Sequence, residues 1–224
     1  MRRRRHEYER HLITDLEPKS PLAEAFRVLR TNIQFAAVDR PIRSLLITSA
    51  GPAEGKSTTL ANLGVARAQS GARVIVLDAD LRRPTQHKLF NLSRGAGVSS
   101  VVLGRARVEE ALQETGIPGL RLLSSGPIPP NPSELLASQA FSSLLKELKE
   151  KTDYLLIDSP PVMAVADASI VAGQVDGVLL VIQLGMVARP MAVRAKEQLL
   201  AAKANLLGMV LTNAGMDRDY SYYY

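Results

Sequence analysis

SLLITSAGPAEGKST, residues 44–58, joins a short apolar run to a glycine-containing loop, and a helical pattern follows over about 57–69. Against the pattern G-x-x-x-x-G-K-[ST], the first position holds Ala50, while Gly55, Lys56 and Ser57 match. A loop of this kind wraps backbone N–H groups around a β-phosphate and aims a helix N-terminus at it. Gly55 lets the backbone approach without a Cβ in the way. Lys56 is expected to bridge the β- and γ-phosphates, and the Ser57 hydroxyl to ligate Mg²⁺. Gly51, Pro52, Ala53, Glu54, Gly55, Lys56, Ser57 and Thr58 are therefore the expected nucleotide-binding set, with ATP and Mg²⁺ as ligands. Losing Lys56 should stop any phosphoryl transfer while leaving the fold intact. An ordinary strand–helix turn is the competing explanation, and two acidic motifs downstream count against it.

Outward from this loop, short apolar runs alternate with longer helical segments. The runs are SLLIT (44–48), RVIVLD (73–78), LRLL (120–123), YLLID (154–158), GVLLVI (177–182) and GMVLT (208–212). Each is almost wholly apolar rather than alternating, as strands buried on both faces are. Helices are expected at about 57–69, 108–115, 133–150, 166–172 and 190–203, and Pro21 opens another through AEAFRVLRTNIQFA. In that first helix Leu22, Phe26, Leu29, Ile33 and Phe35 fall near one face. This alternation predicts an α/β fold of the P-loop NTPase type, a mostly parallel sheet with helices on both faces. Ligands in such folds lie beyond the carboxyl ends of the strands, so the polar residues there are the candidates for chemistry.

Two strand ends are acidic. VIVLDADLRRP puts Asp78 and Asp80 after one strand, and YLLIDSPP puts Asp158 after another. One such carboxylate is as easily a helix cap or a surface charge. Three beside a phosphate loop point to magnesium, which prefers oxygen ligands and is commonly held by one or two carboxylates plus phosphates. Asp158 is assigned to water-mediated Mg²⁺ binding. One of Asp78 and Asp80 would contact the metal shell, and the other accept a proton from the nucleophile. Arg82 and Arg83 are near enough in sequence to stabilise transferring charge, or to pair with a carboxylate.

Composition narrows the class. At 224 residues the chain suits one α/β domain, expected over 21–215, between a basic flexible segment (1–20) and a C-terminal tail (216–224). No apolar run approaches the ~18–20 residues of a membrane-spanning helix. His6 to Asp15 supplies no apolar stretch behind Arg2–Arg5, which argues against a signal peptide. The absence of cysteine excludes disulfides and thiolate metal sites. The expected location is therefore cytoplasmic. Of a formal charge of +6, half sits in residues 1–11, as five arginines against Glu7 and Glu9. A solvated tail explains that run; so does attraction to an anionic membrane surface, worth ~1 kcal/mol per basic side chain. No basic patch interleaved with aromatics follows, so nucleic acid is not an expected partner.

Taken together, the three motifs resemble those of the bacterial tyrosine kinases that control capsule and exopolysaccharide assembly. That family's loop tolerates Ala at its first position, as at Ala50. Its second motif is an apolar run followed by D-x-D-x-R, here Asp78, Asp80 and Arg82, and its third ends in D-x-x-P, here Asp158 and Pro161. GPIPPNPSELL (126–136) and the E-x-x-R-x-x-R of Glu24, Arg27 and Arg30 are similar to the family as well. The resemblance runs from about Pro21 to the C-terminus. It implies an ATP- and Mg²⁺-dependent tyrosine autokinase, with Lys56, Asp78, Asp80 and Asp158 catalytic and Ser57, Asp80 and Asp158 on the metal side. It further implies a membrane adaptor whose cytoplasmic tail completes the site, a cognate tyrosine phosphatase, and a location at the inner face of the cell membrane. Glu24, Arg27 and Arg30 would contact the next subunit of a homo-oligomer, closing a ring.

Four of the six tyrosines, Tyr220, Tyr222, Tyr223 and Tyr224, fall in the last five residues. A chain end seldom contributes to a core, so packing does not account for the cluster. Phosphoacceptors do, since a phenol of pKa ~10 becomes a nucleophile when a positioned base assists it. A sticky interaction peptide is the simpler alternative. The competing function is a non-kinase switch ATPase of the division-site or partitioning type. Those carry a second lysine five residues before the main one, where this chain has Gly51.

Overall fold

A computed structural model of the chain describes residues 12–36 and 41–214. The basic run 1–11 and the four clustered tyrosines lie outside the described residues. Helices α1 (Ile13–Leu16) and α2 (Pro21–Ala36) precede β1 (Ser44–Ser49) and α3 (Lys56–Ala68). Then come β2 (Val74–Asp78), α4 (Gln86–Leu89), α5 (Val98–Val102), α6 (Val108–Ala111), β3 (Leu112–Glu114) and β4 (Leu120–Leu123). The chain continues through α7 (Pro132–Ala137), α8 (Gln139–Glu150), β5 (Tyr154–Asp158) and α9 (Asp167–Ala172). It ends with β6 (Gly177–Gln183), α10 (Arg189–Ala201) and β7 (Leu206–Thr212).

The seven strands form one sheet in the order β3-β4-β2-β5-β1-β6-β7, parallel except for β3. Every residue of β1 and β2 is buried, as their unbroken apolar runs require for a sheet covered on both faces. One core, with Leu46, Ile75, Leu77, Phe141, Leu155, Ile157 and Leu180, lies under α5 to α10. The other, with Ile47, Leu60, Leu63, Val76, Leu122 and Leu156, lies under α2, α3 and α4. Each such Leu or Ile contributes about 1.5–3 kcal/mol relative to exposure.

Register decides the site. β2 and β5 are neighbours with Asp78 opposite Asp158, and β5 also pairs β1 with Ile47 opposite Asp158. The two acidic strand ends and the loop leaving β1 therefore meet at one edge of the sheet.

Several expected elements differ. The helix expected over 108–115 stops at Ala111. Leu112, Gln113 and Glu114 instead pair antiparallel with Leu123, Leu122 and Arg121, so the ladder of an otherwise open β4 edge overrides the helical propensity of VEEALQE. The helix expected over 133–150 is two helices, because Ser138 is extended and its hydroxyl caps α8 by accepting from Phe141 N. In α2 the expected apolar face is incomplete: Ile33 is buried, but Leu22 is 52% and Phe35 70% exposed. Residues 12–20, expected within a flexible segment, carry α1 against the domain. Thr14 is fully buried there, and its N–H and hydroxyl both donate to Asn62 Oδ1 of α3.

Candidate active site

The loop between β1 and α3 is built on positive φ angles at Ala53 (62°) and Gly55 (88°), which turn the chain back onto the start of α3. At Gly55 a left-handed backbone favours glycine. Ala53 holds the same conformation with a Cβ, a strain that loop geometry imposes. The Glu54 side chain is turned into the fold. Its carboxylate is 1% exposed and accepts from Gly51 N and, at 3.2 Å, from Gln183 N at the end of β6. Burial pushes this carboxyl up, and the Gly51 and Gln183 amides oppose the rise. Thr212 Oγ1, ending β7, donates to Glu54 O at 2.9 Å. The loop is thus braced by the last two strands.

Lys56 Nζ lies 3.2 Å from Asp80 Oδ2, 3.5 Å from Asp158 Oδ1 and 3.0 Å from Ser57 Oγ. Burial alone would lower its ammonium, but Asp158 and Asp80 more than offset that and hold it above its ordinary value. Lys56 is therefore the counter-ion of a buried acidic cluster, beyond the phosphate contact expected of it. The expectation that its loss leaves the fold untouched needs revision, because breaking such a pair strands buried charge.

The three carboxylates are not equivalent. Asp78 is fully buried and accepts from the backbone N–H of Asp80 (3.2 Å), Thr85 (3.1 Å) and Gln86 (3.0 Å). Burial pushes its carboxyl well up, with the Asp158 charge adding to the rise. Asp80 uses Oδ1 for Arg83 N and Oδ2 for Lys56. Asp158 accepts from Gln86 Nε2 at 2.8 Å through Oδ2, while its buried Oδ1 has no hydrogen bond. Among the described residues no three carboxylates or imidazoles converge to chelate a metal unaided. Magnesium nevertheless suits the donors present: a hard-oxygen set of Ser57 Oγ, Asp80 and Asp158 Oδ1, the last without a hydrogen bond, which nucleotide phosphates and water would complete.

Arg82 turns away from Asp80 to a different acid. Its Nε donates to buried Asp167 Oδ2 at 2.8 Å, and its NH2 to Ser133 Oγ at 2.9 Å; Ser133 in turn donates to Asp167 Oδ1 at 2.6 Å. The pairing alternative for this arginine is the one realised, and it ties the D-x-D-x-R segment to the GPIPPNPSELL segment through α9. Arg83 is exposed. Away from this edge, Arg27 is salt-bridged to Glu24 at 2.7 Å and donates to Pro18 O, while Arg30 donates to Ala66 O at 3.0 Å. Gln86, Asp167, Thr212 and the bracing role of Glu54 were not foreseen. Asp167 carried a faint signal as an acid opening a helix, whereas Gln86 and Thr212 carried none.

A phosphate loop leaving β1, with acids ending the adjacent strand β5 and β2 beyond it, defines a P-loop nucleotide-binding protein. Residues 42–216 match the family described as ParA, NUBPL iron-transfer P-loop NTPase. Over 217 residues the chain is 45% identical to tyrosine-protein kinase YwqD of Bacillus subtilis, covering 96% of this chain and 92% of that one. The crystal structure of the chimerical protein CapA2B2 superposes with a TM-score of 0.87 at 42% identity, over 90% of this chain and 88% of that one. The kinase domain of the Escherichia coli tyrosine kinase ETK gives a TM-score of 0.86 at 32% identity, over 92% and 82%. The chain belongs to the bacterial tyrosine kinases. Kinship with named kinases at this level decides against the division-site type of ATPase. No helix among the described residues is long and apolar enough to cross a membrane.

Proposed function

We propose that this protein transfers the γ-phosphoryl group of ATP to tyrosine hydroxyls, and that its acceptors are Tyr220, Tyr222, Tyr223 and Tyr224 of a neighbouring copy. The observation that carries this reading is the bond from Thr212 Oγ1 to Glu54 O. It fastens the root of the tyrosine-bearing tail to the phosphate loop itself. From residue 216 a nine-residue segment reaches at most ~30 Å when extended. To attack in line, a phenol must approach the γ-phosphate from outside the loop. A tail rooted at the loop has to double back for that, whereas a neighbour's tail enters from across an interface.

The backbone of 51–58 holds the phosphates, and Lys56 leaves the carboxylates to follow the charge that builds on the transferring group. Ser57, Asp80 and Asp158 would hold magnesium, which would neutralise the negative charge of the phosphates. The phenolic oxygen bonds to phosphorus as the bond to the β–γ bridging oxygen breaks. The phenolic proton passes to a carboxylate of the Asp78–Asp80 pair. Each phosphate adds about −1.5 to −2 charge, so a modified tail is repelled from this acidic edge and leaves.

A cytoplasmic segment of a membrane adaptor raises activity, a tyrosine phosphatase resets the tail, and the system regulates capsule or exopolysaccharide assembly at the inner face of the membrane. These partners follow from the family likeness. The test mixes a Lys56→Met subunit with an active subunit whose four tail tyrosines are Phe. Phosphate on the tail of the Lys56→Met chain is the expected result; none, in demonstrably mixed oligomers, refutes transfer between chains.

Subunit contact through α2 is a separate expectation. Glu24, Arg27 and Arg30 already bond within the chain, yet the half-buried Glu24–Arg27 pair, an i,i+3 contact, is worth only ~0.2–0.5 kcal/mol. Changing all three to Ala should give folded monomers by light scattering, and an unchanged oligomer would leave them an intrachain role only.

A further inference from the structure

Gln86 opens α4, eight residues beyond Asp78, and is fully buried. It is bonded to all three sequence motifs. Its backbone N–H donates to Asp78 Oδ2 at 3.0 Å, and its Nε2 to Asp158 Oδ2 at 2.8 Å and to Ser57 O at 3.1 Å. Its amide oxygen is a different matter. Oε1 is buried without a hydrogen-bond partner among the described residues, and so is Oδ1 of the Asp158 it holds. Asp158 Oδ1 has the Lys56 ammonium 3.5 Å away but no hydrogen bond, and buried acceptors are nearly always hydrogen-bonded, so two unfilled acceptors on adjoining groups need a common explanation.

We infer that Gln86 is a positioning residue of the magnesium site: its amide N–H groups fix Asp158 against the Ser57 turn, and its Oε1 accepts from water in the metal's shell. Magnesium keeps several of its waters, and these bring the O–H donors that two orphaned acceptors lack. The chemistry also explains the residue type. Asp78, Asp80 and Asp158 already share the one nearby ammonium of Lys56, and a fourth carboxylate would add repulsion while losing both N–H donors. A neutral carboxamide donates to Asp158 and still offers an acceptor. Residues that orient metal ligands in this way typically matter about 10–100-fold for metal affinity.

The inference rests on the Mg²⁺–nucleotide reading of the site, and the experiment separates the two. Affinity for a fluorescent ADP is measured on the full chain in EDTA and across a MgCl₂ titration, for the native protein, Gln86→Met and Gln86→Asn. Gln86→Met is nearly isosteric and removes both functions; Gln86→Asn keeps the amide but withdraws it by one methylene. We expect the Mg²⁺ midpoint to rise about tenfold in Gln86→Met and about threefold in Gln86→Asn, with little change in metal-free affinity. Should Gln86→Met fail to fold by circular dichroism, Gln86→Asn carries the test. An unchanged midpoint in a folded variant overturns the role, as does a parallel fall of metal-free and metal-bound affinity, the mark of a merely structural residue. A native protein whose ADP affinity ignores Mg²⁺ overturns the underlying reading instead.

Discussion

Lys56→Met should abolish tyrosine phosphorylation and also lower stability in a pH-dependent way. The catalytic loss is at least about a hundredfold, because phosphoryl transfer depends chiefly on preorganised charge around the moving group. The stability loss follows from the bonds to Asp80 and Asp158 at 3.2 and 3.5 Å, both acids being nearly or fully buried. Stranding buried charge in this way costs about 3 kcal/mol. The Lys56 ammonium is held above its ordinary 10.5, so its contribution is complete below that value and is lost only as pH rises through the higher folded value. Asp78, pushed well above its ordinary 3.8, costs the fold stability once pH exceeds 3.8, and Lys56 is one of the groups limiting that cost. The variant should therefore lie furthest below the native protein near neutral pH, and the gap should narrow as pH falls toward 4 and the part acting through Asp78 fades. Urea melts from pH 3.5 to 8 measure this; a gap independent of pH, or none at all, would contradict it.

Gly97→Ala should be the most damaging single methyl group in the domain. Gly97 is extended at φ −168°, which any residue adopts, so its requirement is not conformational. The cause is contact. A Cβ there would sit 2.1 Å from Ser124 O and 2.3 Å from Gly126 N, where Val98 N and Ser99 N bond to Ser124 O and Ser125 O. Backbone must move, at a cost of about 3 kcal/mol and a fall in Tm of roughly 6–12 °C. Because the segment after Ser125 carries Ser133 to Asp167 and Arg82, activity should fall with stability. Gly208→Ala is the control: a Cβ there meets nothing within 4 Å, and its effect should stay within about 0.5 kcal/mol. A Tm for Gly97→Ala equal to that of the control would defeat the argument.

What the sequence disclosed follows from which forces are local. Unbroken apolar runs signalled the central parallel strands, since a strand buried on both faces cannot hide its composition. The phosphate loop was legible because backbone approach demands Gly55 and phosphate charge demands Lys56. β3 was hidden, because its pairing is decided by the open edge of β4 and not by VEEALQE. The break at Ser138 lay in one serine's choice between helix interior and cap. Gln86 and Thr212 were invisible for a related reason: neither belongs to a spaced pattern, and each matters only through partners 72 and 158 residues away. Asp78 and Asp80 looked alike in DAD, and only the turn after β2 commits the first to backbone amides.

The hydroxyl of Thr212 makes the phosphate loop the fixed post of a leash. In the proposed transfer between neighbouring copies, with one end of the tail pinned there, the local concentration of acceptor tyrosines would be set by linker length, and hardly by the number of molecules in the cell. Such a dependence is gentle: each doubling of a flexible linker costs only about 0.6 kcal/mol, a roughly threefold dilution. On that proposal the segment between Asn213 and Tyr220 should change in length and composition at little cost to transfer, whereas Thr212 should not.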